Sequence, residues 1–184
     1  MKYILVALGV LLLIIFVVVI AVGGGNDAPS SREVKRLTEY ASETSTEAVY
    51  TEAGAINAEE NHRIIEITVS SSERTVAVLD GYDGNVQSEK TYPNSTAAFE
   101  AFLAAVEQVG FSNDRRSTQS FESVCPTGRR FSYALTSGED EVVNTWSATC
   151  DKGTFGGNTN QTQRLFRAQI PEFQDFTGDV SFSL

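Results

Sequence analysis

The sequence predicts an α+β fold, with an N-terminal transmembrane helix followed by an antiparallel sheet and two or three packed helices. Three observations lead to this prediction. The segment from Tyr3 to Val22 is an unbroken apolar run, and the segment from Thr96 to Val109 has the pattern of an amphipathic helix. The remaining alternating segments are joined by connections of hairpin length, which implies antiparallel pairing.

The apolar run is long enough to cross a bilayer, because about 20 residues rising ~1.5 Å each span a hydrocarbon core of roughly 30 Å. A cleaved signal peptide is the alternative, although the apolar core of a signal is usually only about 7–15 residues long. We therefore predict an uncleaved anchor over residues 1–22, a flexible Gly-rich linker over 23–30, and a single α+β domain over 31–184.

The flanking charges and the cysteines disagree about the direction of this anchor. A single lysine precedes the run, whereas Arg32, Lys35 and Arg36 follow it, so the positive-inside rule alone favours a cytoplasmic domain. Cys125 and Cys150 favour the other side, because disulfides persist in oxidising compartments. We expect residues 3–22 to lie in the membrane and the domain to lie outside the cytoplasm.

The two cysteines flank a predicted hairpin, so a disulfide between Cys125 and Cys150 is geometrically natural. Such a bond would stabilise the fold by about 3–4 kcal/mol. The spacing is not that of a CxxC redox motif, and two cysteines with one distant histidine cannot fill a tetrahedral zinc site. The sequence therefore predicts neither a metal nor a cofactor.

The elements of the domain follow in order. A capping box, Ser30 to Glu33, predicts a short helix to about Ser42. Alternating apolar residues then predict strands over Ala48–Ile56, Arg63–Val69, Arg74–Leu79, Val86–Tyr92, Arg130–Thr136 and Glu141–Thr149. A late helix is predicted over Gln161–Gln169, and a strand near Val180–Ser183.

The best-marked element is the helix from Thr96 to Val109. Asn94 or Ser95 is suited to the N-cap, and the apolar residues recur at helical spacing. Gly110 stands where a left-handed residue ends a helix, and Phe111 can close a Schellman motif.

The charge of the chain excludes some partners. A net charge of −10 argues against nucleic acid and anionic lipid as ligands, because both require a basic surface. The arginines nevertheless gather in the second half of the chain. They represent either ordinary solvated charge or a basic patch for an acidic partner or for the chain's own acidic half; they are Arg115, Arg116, Arg129, Arg130, Arg164 and Arg167.

No catalytic motif is visible in the sequence. His62 is the only histidine, and we expect it to be solvated; a metal site formed with Glu59 and Glu60 is the alternative. The turn from Asp80 to Asn85 fails the EF-hand pattern. The Gly-rich segment Gly153–Asn158 lacks the ending of a P-loop, so it is either a plain connection or a recognition loop.

The order of elements from Arg63 to Pro171 resembles that of the emfourin type of small proteinaceous metalloprotease inhibitor. The resemblance consists of a strand pair, a helix (AFEAFLAAVEQVGF), a strand segment (GRRFSYALTSGEDEV) and a late helix. The anchor, the cysteines and the long loop after Gly110 depart from that pattern. The resemblance implies protease inhibition as a function.

These observations predict a single-pass, membrane-anchored, non-enzymatic domain that binds an unidentified protein or envelope component. The expected contact surface comprises Arg129, Arg130, Phe173 and Phe176, although both phenylalanines could instead seal the sheet. A membrane-anchored protease inhibitor is one alternative. A hydrolase with an acid-only site is another, and it requires a cleft in which two carboxylates converge.

Overall fold

The computed structural model describes residues 35–180 and 182, and all structural statements below concern these residues. They contain six β-strands, each built from a segment of alternating side chains. The strands are β1 (Thr46–Ala53), β2 (Arg63–Ser70), β3 (Glu73–Asp80), β4 (Asn85–Pro93), β5 (Arg130–Ser137) and β6 (Asp140–Ala148).

The strands form one antiparallel sheet in the order β4-β3-β2-β1-β5-β6. The first four strands form a meander, and the β5–β6 hairpin joins it beside β1. The register places Tyr50 of β1 opposite Ile67 of β2 and opposite Tyr133 of β5. The α+β class and the antiparallel pairing predicted from the sequence are therefore confirmed.

In the described part of the chain, three α-helices accompany the sheet: α1 (Thr96–Gln108), α2 (Thr159–Arg167) and α3 (Phe173–Thr177). Two short 3-10 helices span Leu37–Ser42 and Glu59–Asn61. Helix α1 is capped as predicted. The hydroxyl of Ser95 accepts a hydrogen bond from the amide of Ala98 at 3.3 Å. Gly110 has φ 82°, and the amide of Phe111 donates to the carbonyl of Val106 in the Schellman pattern.

The hydrophobic core lies between one face of the sheet and the helices. Tyr50, at the centre of this face, is fully buried, and its ring lies 5.6 Å from the ring of Phe166 in α2. Phe166 in turn meets Phe102 of α1 edge-on at 5.0 Å. Aromatic contacts of this kind add to the free energy gained by burying apolar area.

The opposite face of the sheet carries smaller, partly exposed side chains. Val49, Thr51, Ile64 and Thr68 are examples, and each has intermediate exposure. Glu66 lies among them at the centre of β2, and burial raises the pKa of its carboxyl group. This face is thus less apolar than the face that meets the helices.

The structure differs from the prediction mainly near the two ends of the described region. The first strand begins two residues earlier than predicted, at Thr46. The part of the predicted short helix that the structure describes is a 3-10 helix, Leu37–Ser42. The C-terminal segment forms α3, where we predicted no helix. The predicted strand near Val180–Ser183 falls partly outside the described residues, and Val180 itself has no regular secondary structure.

The predicted anchor (1–22), the linker (23–30) and the capping box at Ser30 lie outside the described residues. Within the part of the chain that the structure does describe, no helix is long and apolar enough to cross a membrane.

Candidate ligand-binding site

Two long connections come together at one end of the β5–β6 hairpin. We call residues 112–129 and 149–158 the loop cluster. The predicted disulfide links its two parts: Cys125 and Cys150 are bonded, with their Cα atoms 6.0 Å apart. The amide of Cys150 also donates a hydrogen bond to the sulfur of Cys125 at 3.2 Å. The loop cluster is therefore tied to the end of β6.

The Gly-rich segment is held tightly against the sheet and against the loop that follows α1. Gly153 has φ 131°, and a Cβ atom there would overlap the carbonyl oxygen of Trp146. A Cβ on Gly157 would likewise overlap the carbonyl oxygen of Gly110. These positions need glycine because backbone meets backbone. Packing of backbone against backbone therefore holds the Gly-rich segment in one conformation.

Backbone hydrogen bonds join the two parts of the loop cluster. The amide of Arg115 donates to the carbonyl of Thr154 at 2.6 Å, and the amide of Gly156 donates to the backbone carbonyl of Asn113 at 2.8 Å. The amide of Phe155 donates to Trp146 at 2.8 Å. Phe155 itself is only 2 % exposed and anchors the segment in the core.

Two polar clefts open on the surface of the loop cluster. The larger, of about 580 Å³, lies between the residues after α1 and the Gly-rich segment, and both Asp114 and Asp151 line it. The smaller, of about 410 Å³, we call the basic cleft. It is lined by Arg115, Arg116, Ser117, Thr118, Gln119, Asp151, Lys152 and Gly153.

Arg115 lies between the clefts and lines both of them. Its Nε atom donates a hydrogen bond to the carbonyl of Gly153 at 3.0 Å, which fixes the side chain. An Nη atom lies 3.8 Å from a carboxylate oxygen of Asp151. The Asp151 side chain is 98 % exposed. This ion pair is therefore loose and solvated.

The hydrolase hypothesis requires two carboxylates converging in a cleft. Asp114 and Asp151 do line the same cleft. However, two carboxylates of a hydrolase site are held in an enclosed cleft, whereas the Asp151 side chain is 98 % exposed and ion-paired with Arg115. The arrangement therefore suits recognition of a charged ligand better than acid catalysis.

The structure separates the four residues of the expected contact surface. The Arg129 side chain is 51 % exposed, whereas Arg130 is only 4 % exposed. The Arg130 guanidinium points toward the carbonyl groups of Gly54, Phe121 and Glu122. The Arg130 guanidinium also lies 5.3 Å from the ring of Phe121. Arg130 thus braces the loop cluster, while the half-exposed Arg129 side chain is held in an ion pair with Glu52.

The two phenylalanines of that expected surface lie on α3. Phe173 is only 8 % exposed, and the guanidinium of Arg167 lies 5.7 Å from the centre of its ring. Phe176 is partly buried and packs against the core cluster. Their positions fit the interpretation in which these two phenylalanines seal the sheet.

A buried ionic cluster was missed by the sequence reasoning. The Glu52 carboxylate, 2 % exposed, lies 2.9 Å from Arg129 and 2.5 Å from Arg167. It also accepts a hydrogen bond from the hydroxyl of Tyr50 at 3.0 Å. Burial, and then the negative charge of Glu52, raise the pKa of Tyr50 far above its usual range. The available signal was a glutamate at an inward-facing position of a strand.

His62 is not solvated, and this expectation was wrong. It is 2 % exposed, and its Nδ1 atom lies 3.1 Å from the carbonyl oxygen of Ala55. The ring of Tyr82 stacks on it at 4.0 Å. Burial lowers the pKa of His62, and the charges of Arg130 and Arg63 lower it further. Among the described residues, no group of three or more acidic, histidine or cysteine side chains is arranged to hold a metal ion.

Comparison with known proteins adds no family. No model of a known protein family matches the sequence. No curated protein matches it significantly. The resemblance to emfourin-type inhibitors therefore stays a prediction.

Proposed function

We propose that this chain is a single-pass, membrane-anchored protein whose domain lies outside the cytoplasm and binds a protein or envelope component through the loop cluster. The observation that carries the proposal is the combination of a fixed backbone and exposed charged tips. Glycine packing and the Cys125–Cys150 bond hold the loops, while Arg116 and Lys152 remain exposed. A binding surface that is already ordered loses little conformational entropy when it meets its ligand.

The proposed location is supported by two features of the sequence and structure. The apolar run at residues 3–22 has the length of an anchor. The disulfide links segments 25 residues apart, and such bonds are rare in the cytosol. Together they support a domain held near the outer side of a membrane.

Position-specific crosslinking in cells tests the binding. A photoreactive amino acid placed at Arg116 should give a discrete adduct of higher mass. The matched control is Glu89, which is exposed on the edge strand β4 at the other end of the sheet order. Equal adducts from both positions, or no adduct from position 116, would contradict the proposal.

Fractionation tests the location independently. The full chain should stay in the membrane pellet at alkaline pH, and its cysteines should resist a thiol reagent until a reductant is added to intact cells. A chain with freely reactive thiols under native conditions would contradict an extracytoplasmic domain.

Protease inhibition is the second candidate. The observation that favours it is that residues 116–120 form a surface segment held on both sides, by the amide of Arg115 and by the disulfide at Cys125. Inhibitory loops require this kind of support because a rigid segment resists cleavage and dissociation. Unchanged activity of a panel of metalloproteases in the presence of the chain would exclude this candidate.

A further inference from the structure

We propose that the basic cleft binds a carboxylate-rich acidic peptide segment of the partner. The inference rests on the proposed binding function and specifies the chemistry of the ligand. Its starting point is the local charge: three cations (Arg115, Arg116 and Lys152) and one carboxylate (Asp151) line the cleft. The cleft is therefore locally positive in a chain whose net charge is −10.

Arg115 is oriented in advance for such a ligand. Its Nε atom is hydrogen-bonded to Gly153, and its own amide is bonded to Thr154, so the stem and backbone are fixed. Among the described residues, its Nη atoms make no hydrogen bond, since the contact with Asp151 is 3.8 Å long. A guanidinium with free Nη donors can bind a carboxylate through two parallel hydrogen bonds.

The position of Asp151 indicates that the anion bound by Arg115 is a carboxylate. Its exposed carboxylate already lies beside the Arg115 guanidinium, in the place that a carboxylate of a ligand would take. Because the Asp151 side chain is 98 % exposed, it can swing into solvent at little cost. The Asp151 carboxylate therefore competes weakly with the ligand for the Arg115 guanidinium.

The remaining lining favours a peptide over a nucleic acid. Ser117, Thr118 and Gln119 supply hydroxyl and amide groups that can pair with peptide groups. No aromatic side chain lines the basic cleft, and the nearby Phe155 is buried. Nucleobases are commonly held by stacking on aromatic rings, which this cleft does not offer.

Fluorescence anisotropy tests the inference with the full-length chain in a neutral detergent at low ionic strength. The probe is fluorescein-labelled hexa-aspartate, and labelled hexa-asparagine is its neutral control. We expect saturable binding of hexa-aspartate alone, weakening as salt screens the charges. Failure of hexa-aspartate to bind, or equal binding of both peptides, overturns the inference.

Variants locate the binding. The double variant R116A/K152A should raise the Kd about tenfold, because two exposed charge contacts are lost. Neither of these side chains makes an ion pair or hydrogen bond with a described residue, so the fold should be retained. Arg164→Ala, an exposed arginine of α2, is the matched control and should leave the Kd unchanged. An equal effect of both changes overturns the assignment to this cleft.

Two further variants test the geometry. Arg115→Lys keeps the charge but removes the paired donors, and it should weaken binding severalfold. Asp151→Asn removes the internal competitor and should tighten binding about threefold. Weaker binding by Asp151→Asn would overturn the idea that this carboxylate occupies the site of the ligand.

A competing polyanion and the cellular crosslink complete the test. Tighter binding of a sulfated oligosaccharide of equal charge than of hexa-aspartate would overturn the peptide assignment. If hexa-aspartate fails while position 116 still crosslinks in cells, this inference falls and the proposed function stands.

Discussion

Replacing Glu52 by glutamine should destabilise the domain by about 3 kcal/mol, the usual cost of breaking a buried ion pair by removing one partner. Glu52 is 2 % exposed and contacts two guanidinium groups, those of Arg129 and Arg167. Arg129 is half exposed and can turn into solvent once the carboxylate is gone. Arg167 is less exposed, and its buried Nε atom already lacks a partner among the described residues. Most of the cost therefore arises at Arg167.

Urea denaturation at pH 7, followed by the fluorescence of Trp146, measures this cost, since Trp146 is the only tryptophan. The matched control is Glu47→Gln, on the same strand but exposed, which should change the free energy of unfolding by less than about 0.5 kcal/mol. A loss below about 1 kcal/mol for Glu52→Gln would refute this reasoning.

The pair Glu52→Leu with Arg167→Met offers a second check. An apolar replacement of both partners removes the buried charges together, and such replacements are often neutral or stabilising. We expect the double variant to be more stable than Glu52→Gln. A double variant as unstable as the single one would show that cavity formation, and not an uncompensated charge, dominates the cost.

Three other changes test the electrostatics and the disulfide. Because burial lowers the pKa of His62 below 6.5, the unfolded chain binds a proton more readily than the folded chain does. The free energy of unfolding should therefore be highest near pH 7 and decrease as the pH drops below about 6.5. In urea titrations, His62→Gln should reduce this dependence on pH. Because burial raises the pKa of Glu66, the charged form of this carboxyl group opposes folding at neutral pH. Glu66→Gln should therefore raise the melting temperature at pH 7 but not at pH 3. A lower melting temperature of the variant at pH 7 would contradict this. Replacing Cys125 and Cys150 by serine should cost about 3–4 kcal/mol for a loop of 25 residues, measured by urea denaturation; a loss below about 1 kcal/mol would show that the loop stays closed without the bond.

The sheet and the main helix could be predicted because their signals are local. The helix α1 has a capping serine, an apolar stripe and the Gly110 ending within one continuous segment. The alternation in β2 and β5 reports burial on one face directly. The cysteine pair was also predictable, since both residues flank one hairpin.

The buried polar groups could not be predicted, because their partners are distant in sequence. Glu52 and Arg167 are 115 residues apart, and nothing near either of them indicates the other. His62 lies within a polar run, yet Tyr82, which covers it, comes from the turn after β3. Exposure of a polar residue depends on what the rest of the chain places over it.

The site was predictable only in part for the same reason. The Gly-rich segment was recognised as either a connection or a recognition loop, but its tight contact with Gly110 appears only in the folded chain. From the sequence, the arginine pairs are either ordinary solvated charge or a basic patch. The fold separates the two pairs: Arg115 and Arg116 line one cleft, whereas Arg130 is buried.

The position of β1 within the sheet has a consequence for biosynthesis. Its first neighbour, β2, begins only ten residues after β1 ends, but Thr46 meets Ser137 of β5 across 91 residues of chain. At ~5–20 residues per second, a ribosome needs roughly 5–20 s to deliver that second neighbour. During this interval the β1 edge of the nascent β1–β4 meander is unpaired, in addition to the β4 edge that stays open in the finished sheet. The unpaired β1 edge can pair with another chain until the β5–β6 hairpin arrives, so the nascent domain depends on protection from aggregation during this interval.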